Sequence, residues 1–430
     1  MRSPLAPSIA RAAAAVAFLT VAAATTAGAQ AAPRVQKDPA SATVEGALQQ
    51  GVVPGVEVLL RDSLHLLRGK RVGLITNHSG RDRAGTSTID LLYRAPGVKL
   101  VALFAPEHGI RGAADAGAKI ATTRDSATGI PIYSLYGQRN TPSDSMLRDV
   151  DVLVYDIQDV GARVYTYVWT MALSADSANK PFIVLDRPDP VRADRVDGGM
   201  LDPKYRSFVG QFPVALRYGL TPGELLRYLQ GTKQIALPSV TVVPMRHYTR
   251  AQWWDATGLP WVNPSPNLRD LEATIIYTGT VFFEGTNLSE GRGTDAPFRV
   301  AGAPWLTDAG AIAAALNARN LPGVRFDSTS KTVAAGQKHG GLTIPVVQVH
   351  VTDRERVVPV EVGAWMLREI AARHPQELVW REAHMDRLAG DTRLRTAVTT
   401  SDAAVTALLR AFADESRRFQ DATRPYWLYR

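Results

Sequence analysis

Several carboxylates of this chain sit in glycine-bordered loops. Glu107 lies in Pro106–Gly109 (PEHG), and Glu284, Glu290 and Asp295 lie in Phe283–Phe298 (FEGTNLSEGRGTDAPF). Hydrolysis of a glycosidic bond needs a protonated acid near the leaving oxygen. It also needs a second group that activates water, attacks as nucleophile or stabilises the cationic transition state. Two acidic loops facing one cleft would serve. Glu107 follows an apolar run and adjoins Pro106, and partial burial there suits a general acid. The second loop also has a purely structural reading, a glycine-rich turn whose acids cap helices or pair with Arg292.

Other chemistries fall away. The chain has no cysteine, which excludes thiol nucleophiles, zinc ribbons, iron–sulfur sites and disulfide scaffolds. It has no Gly-x-Gly-x-x-Gly after its first apolar run, no Walker A loop and no Gly-x-Ser-x-Gly elbow. Ser328 and Lys331 form a Ser-x-x-Lys match in Asp327–Lys331 (DSTSK), but its partner motifs are missing. No HExxH or other close His–carboxylate spacing marks a metal site. Neither metal nor cofactor is expected.

The elements that must position these residues are short apolar runs alternating with helical patterns: Arg71–Thr76, Val98–Phe104, Val150–Tyr155, Pro181–Leu185 and Ser239–Val243. Such runs predict strands buried on both faces of a mostly parallel sheet. Ligands of open parallel sheets bind beyond the carboxyl ends of the strands. The runs are followed by Asn77 and His78, by Glu107 and His108, by Asp156, Gln158 and Asp159, and by Asp186, Arg187 and Asp189. Each alone is an ordinary loop residue, but four strand ends converge on one polar edge. Thr221, Pro222 and Glu224 have the spacing of a capping box.

At 430 residues, 45% apolar and 21% charged, the chain predicts an ordinary globular protein of two domains. Residues 1–29 read as a signal peptide, with Arg2 and Arg11, an apolar run from Ala12 to Ala24, and small residues at Ala27 and Ala29. That run is too short to span a membrane, so no integral segment is expected after cleavage and the protein is expected to be exported, to the periplasm or beyond. Residues 30–50 read as a linker, 51–268 as a Rossmann-like domain and 269–430 as a smaller C-terminal α/β domain. A helix around Asp308–Ala318, a strand Leu342–His350, and helices near Pro359–Arg373 and Ala403–Gln420 are predicted in the latter. The net charge of +8 is spread without a basic run, so no nucleic-acid partner is implied.

Longer motifs carry a resemblance. Gly73–Gly80 (GLITNHSG), Leu103–Gly112 (LFAPEHGIRG), Val154–Tyr167 (VYDIQDVGARVYTY), Leu185–Pro190 (LDRPDP), Leu216–Leu225 (LRYGLTPGEL), Asn263–Leu268 (NPSPNL) and Phe283–Trp305 resemble, in the same order, the exo-acting β-N-acetylmuramidases of the NamZ type. The resemblance implies a Rossmann-like domain, a smaller α/β domain and a cleft between them. It implies release of N-acetylmuramic acid from the non-reducing end of peptidoglycan fragments, with muropeptides or MurNAc-GlcNAc disaccharides as substrates. Glu107 matches the favoured catalytic glutamate, and Glu290 is taken as the second group. Asn77, His78, His108, Asp156, Arg163, Tyr165, Arg292 and Asp295 are expected around the sugar. The 3-O-lactyl carboxylate of muramic acid suits a guanidinium fork, from Arg163 or Arg292, although either arginine could instead neutralise Asp156 or Asp295. One departure is Asp189, where the motif is expected to carry asparagine. A hydrolase cutting after N-acetylglucosamine and a non-catalytic wall-binding module are the rival readings.

Overall fold

The computed structural model describes residues 51–107, 110, 123–137, 139–237 and 239–430. The expected signal peptide, the whole of the linker and His108 lie outside them. In chain order the first half forms β1 (Arg71–Thr76), α1 (Thr88–Arg94), β2 (Lys99–Ala105), β3 (Thr123–Arg124), β4 (Pro131–Ser134), β5 (Val152–Asp156), α2 (Tyr167–Ser177) and β6 (Phe182–Leu185). It continues with β7 (Asp197–Met200), β8 (Ala215–Arg217), α3 (Pro222–Gly231) and β9 (Val240–Val243). Seven strands pair in the order β3-β4-β2-β1-β5-β6-β9, parallel except for β3 with β4. The apolar runs form strands because both sheet faces are covered. On β5, Leu153 and Tyr155 join a core with Phe104 and Trp169, whereas Val152 and Val154 join a second core with Leu59 and Leu74, the two-residue alternation of a strand. The edge strand β9 departs from the expectation, since only its Val243 is buried.

The second half forms α4 (Leu271–Thr280), β10 (Val300–Gly302), α5 (Ala309–Ala318), β11 (Val324–Thr332), β12 (Thr343–Val351), α6 (Pro359–Arg373), α7 (Glu382–Ala389), α8 (Arg393–Thr400) and α9 (Asp402–Thr423). The three strands make an antiparallel sheet in the order β10-β12-β11. A mostly parallel sheet followed by a smaller α/β region is the predicted architecture. Strand β11 carries few apolar residues and gives no sequence signal; its pairing with β12 creates it. Ser328 and Lys331 lie on it at odd spacing, so their side chains leave opposite faces and the Ser-x-x-Lys match is no functional pair.

The predicted capping box at the start of α3 forms, Thr221 Oγ1 accepting from the Glu224 N–H while Glu224 accepts from the Thr221 N–H. Glu224 is also where the C-terminus returns to the first sheet. Its Oε1 accepts from the Leu428 N–H at 2.8 Å, and the Tyr429 hydroxyl donates to Asp186 Oδ2 at 2.7 Å.

Helices α4 and α6 touch backbone to backbone. A Cβ on Gly279 would stand 1.8 Å from the Pro359 carbonyl oxygen, and one on Gly363 would stand 2.1 Å from the Gly279 carbonyl oxygen. Only glycine permits this crossing. Gly279→Ala should therefore destabilise the protein by about 1–3 kcal/mol or more, as overpacking does. Gly310→Ala on α5, whose Cβ meets nothing closer than 3.4 Å, should be neutral or stabilising by roughly 0.5–1 kcal/mol. Thermal denaturation of the two variants checks the contrast, and equal melting temperatures would contradict the packing argument.

Candidate active site

Glu107 follows β2 after a single residue, Pro106. Its Oε2 accepts from the Thr166 hydroxyl at 2.7 Å, a neutral donor that serves a carboxyl in either protonation state. Across the same small cavity stands Glu284, in the 3-10 turn Val281–Gly285 that continues α4. Its Oε1 lies 2.7 Å from Arg292 Nη1, and its Oε2 lies 3.7 Å from His384 Nε2 on α7. Burial pushes the Glu284 pKa up, but the charge of Arg292 and the nearby His384 outweigh it and hold the carboxyl below its ordinary range. Burial pulls the Arg292 pKa down, but the charges of Glu284 and Glu290 outweigh it and leave the guanidinium more firmly protonated than usual.

The walls are aromatic. Tyr165 meets Tyr167 edge-on at 5.0 Å and Tyr277 at 6.0 Å, and Tyr277 meets Phe298 at 4.8 Å, so one chain of rings joins the two halves of the protein. Burial raises the pKa of all three tyrosines, which keeps their hydroxyls as neutral donors. Ser265, Asn267 and Leu268 of the NPSPNL motif complete the lining. A larger groove of about 640 Å³ between β7 and helices α6 and α9 contains none of the predicted site residues.

Of the predicted residues, Glu107, Tyr165 and Arg292 line the cavity. Asn77 and His78 stand behind it: Asn77 Oδ1 accepts from Ser79, beside the Tyr167 hydroxyl. His78 Nε2 lies 2.6 Å from the Asn263 carbonyl oxygen. Four expectations need correction. Glu290 is buried and holds two cations, Arg292 at 3.0 Å and Lys338 at 2.9 Å, so the structural reading of this loop applies to it, and Glu284 takes its place in the cavity. Arg163 is wholly buried, donating to the carbonyl oxygens of Gly199, Val214 and Leu388. A guanidinium committed to three carbonyls inside the protein offers no fork to a sugar. Asp156 is equally buried, paired with Arg187 and accepting from Thr88. Asp295 is exposed and paired with Lys331 at 2.9 Å. Neither acid is neutralised by Arg163 or Arg292. Sequence reasoning passed over Thr166, Tyr277 and His384. Thr166 had a signal, its place in the VYTY run, whereas His384 stands 100 residues from the glutamate it touches.

Family models described as the N-terminal and C-terminal parts of the exo-β-N-acetylmuramidase NamZ match residues 72–272 and 275–429. The chain belongs to this family. The peptidoglycan β-N-acetylmuramidase NamZ of Bacillus subtilis (strain 168) is 40% identical over 383 residues, covering 88% of this chain and 91% of that protein. Two solved structures of DUF1343 family proteins from Bacteroides fragilis NCTC 9343 share the fold, with TM-scores of 0.80 and 0.70 at 35% and 29% identity, each over 88% of this chain and 99% of the other. As a NamZ-family member the chain is a glycoside hydrolase, an exo-β-N-acetylmuramidase. No helix among the described residues is long and apolar enough to cross a membrane.

Beneath the NamZ cavity lies a set of buried acids that includes Asp189, the departure from the expected motif. Asp189 Oδ1 accepts from the Val191 N–H at 3.0 Å; burial pushes its pKa up to about 6, against the pull of Arg217. Burial likewise pushes Asp159 up to about 7, against hydrogen bonds from Tyr218 and Gly161, and the charge of Asp189 adds to the rise. Groups whose folded-state pKa exceeds an unfolded value of about 3.9 stabilise the fold fully below that pH and lose the contribution as pH rises through the folded values. Asp189→Asn should therefore gain on the parent protein between about pH 4 and 8, by about 1–3 kcal/mol at the upper end. Urea denaturation of both proteins across that range reads the difference, and parallel stability curves would refute it.

Proposed function

We propose that Glu107 is the general acid and Glu284 the second catalytic group of a hydrolysis that releases N-acetylmuramic acid from the non-reducing end of peptidoglycan fragments. The observation that carries this reading is the pair of carboxyls on one cavity, one from the end of a parallel strand and one from the turn after α4. Glu107 gives its proton to the glycosidic oxygen as the C1–O bond breaks, and the rest of the chain leaves as an alcohol. Glu284, held ionised, faces the positive charge that develops at the anomeric carbon. Water adds its hydroxyl to that carbon and its proton returns to the carboxylate pair.

Arg292 supplies the preference for muramic acid. Both of its described carboxylate contacts run through Nη1, and the remaining donors of the fork suit the lactyl carboxylate. The substrates are muropeptides or MurNAc-GlcNAc disaccharides, met after export through the N-terminal signal sequence to the periplasm or the medium. Residues 51–268 and 269–430 form the two walls of the cleft.

Two sets of variants test the assignment. Glu107→Gln should lower turnover of an unactivated disaccharide by about 10²–10⁴-fold and lose less on an aryl glycoside, whose leaving group needs little protonation. Glu284→Gln should be equally impaired on both substrates, because neither dispenses with stabilisation of the cation. Near-normal turnover in either variant removes that residue from its role.

For Arg292, the informative measurement is the ratio of kcat/KM for β-MurNAc over β-GlcNAc substrates. Arg292→Lys keeps a charge beside Glu284 but loses the planar fork, so the ratio should fall by roughly 10-fold or more. An unchanged ratio would mean that the lactyl group is recognised elsewhere.

A further inference from the structure

The loop between β11 and β12 docks on the back of the segment that carries Glu284 and Glu290. Lys338 Nζ lies 3.1 Å from the Phe283 carbonyl oxygen, 3.2 Å from that of Thr286, 2.8 Å from that of Leu288 and 2.9 Å from Glu290 Oε2. The same loop donates from the Ala334 N–H to the Gly293 carbonyl oxygen at 2.9 Å and places His339 Nε2 2.8 Å from the Asn287 carbonyl oxygen. An ammonium has three N–H donors. Four oxygens gathered round one nitrogen therefore form a shell for a compact cation, filled here by a side chain that does not line the cavity.

Two consequences follow for the carboxylate that does line it. Phe283 supplies the peptide carbonyl immediately before Glu284, so the ammonium fixes the backbone from which that side chain leaves. Glu290 shares Arg292 Nη1 with Glu284, at 3.0 and 2.7 Å. With Lys338 in place the two carboxylates face two cations. Without it, Glu290 has only Arg292 to neutralise it and competes for the guanidinium that orients Glu284.

We infer that Lys338 is a positioning residue for hydrolysis: its ammonium sets the location and pairing of Glu284 without touching the substrate. The inference rests on the role given to Glu284 above. Small displacements of a reacting group can cost about 10²-fold in rate, so Lys338→Met should lower kcat by about 10- to 100-fold with KM changed little. Lys338→Ala opens the space of the side chain, and ethylammonium should restore part of its kcat in a saturable way. It should do nothing for the parent enzyme or for Lys338→Met, and tetramethylammonium, which has no N–H, should be inert at equal ionic strength.

Each assay is run beside Glu284→Gln, with rates expressed per folded molecule. Near-normal kcat in Glu284→Gln would overturn the role of Glu284. An inactive Glu284→Gln together with unchanged kcat in folded Lys338→Met would overturn the positioning role alone. If Lys338→Met does not accumulate as folded protein, Lys338→Arg decides. A planar guanidinium keeps the charge but cannot gather three carbonyls round one nitrogen, so kcat should fall with KM retained, and unchanged kcat in that variant would overturn the inference.

Discussion

Burying Glu290 beside the cavity is the constraint on which the rest of the site depends. An ionised carboxylate removed from water is tolerated only when it is paired and hydrogen-bonded, and Glu290 meets that condition with two cations from different parts of the chain, Arg292 and Lys338. Satisfying it brings the loop between β11 and β12 against the segment after α4. It also turns Arg292 toward the cavity, where the guanidinium meets Glu284 and lies 4.9 Å from the centre of the Phe298 ring. Two charges of each sign balance across four side chains. Changing one alters the pairing available to the other three, so the group behaves as a unit rather than as separate salt bridges.

The polar edge of the parallel sheet obeys the same rule and shows that most of its residues are supports. Asp156 is spent on Arg187, Thr88 and the loops that they hold. Asp186 accepts from Thr221, Gly223 and Tyr429, and so ties the start of α3 and the C-terminus to the end of β6. Asp159 accepts from the Gly161 N–H and the Tyr218 hydroxyl, fixing the loop that leads to Tyr165 and Thr166. Polar residues gather at the carboxyl ends of these strands because the loops there must be held in shape with their backbone groups satisfied. Glu107 is the residue of this edge that reaches the cavity with a carboxylate.

The parts of the structure legible in the sequence were those in which local pattern and burial agree. Continuous apolar runs identified the buried strands of the parallel sheet, and Thr221, Pro222 and Glu224 announced the start of α3 by chemistry confined to four residues. The runs said nothing of β11, whose exposed, polar residues are held as a strand by β12. Nor did they distinguish Glu284 from Glu290. Both are glutamates followed by glycine in one loop, and the difference between lining a cavity and pairing behind it is made by Lys338 and His384, which lie 48 and 100 residues away from the glutamates they meet. Arg163 misled for a related reason. Its place after a strand suited a ligand-binding cation, but its three carbonyl partners come from β7, from the residue before β8 and from α7, contacts that only the assembled fold supplies.

The same long-range contacts bear on how the cavity keeps its shape. Its two carboxylates arise from opposite halves of the chain, so their relation is only as fixed as the joint between those halves. Three kinds of contact contribute to that joint. Arg163 reaches from the first half to the Leu388 carbonyl oxygen, Phe412 of α9 packs where Gly199 leaves room for it, and the last residues return to Glu224 and Asp186. The first two press β7 and the helices after β12 together, and the third ties the chain end to the parallel sheet. Hydrogen bonds from a fully buried arginine are lost at the full cost of leaving its carbonyl partners unsatisfied, which makes this joint resist small separations more strongly than an apolar contact of similar area would. The tyrosine chain across the cavity can therefore be thin, a single row from Tyr165 through Tyr277 to Phe298, and leave room for a sugar, because the force that holds the walls together acts elsewhere.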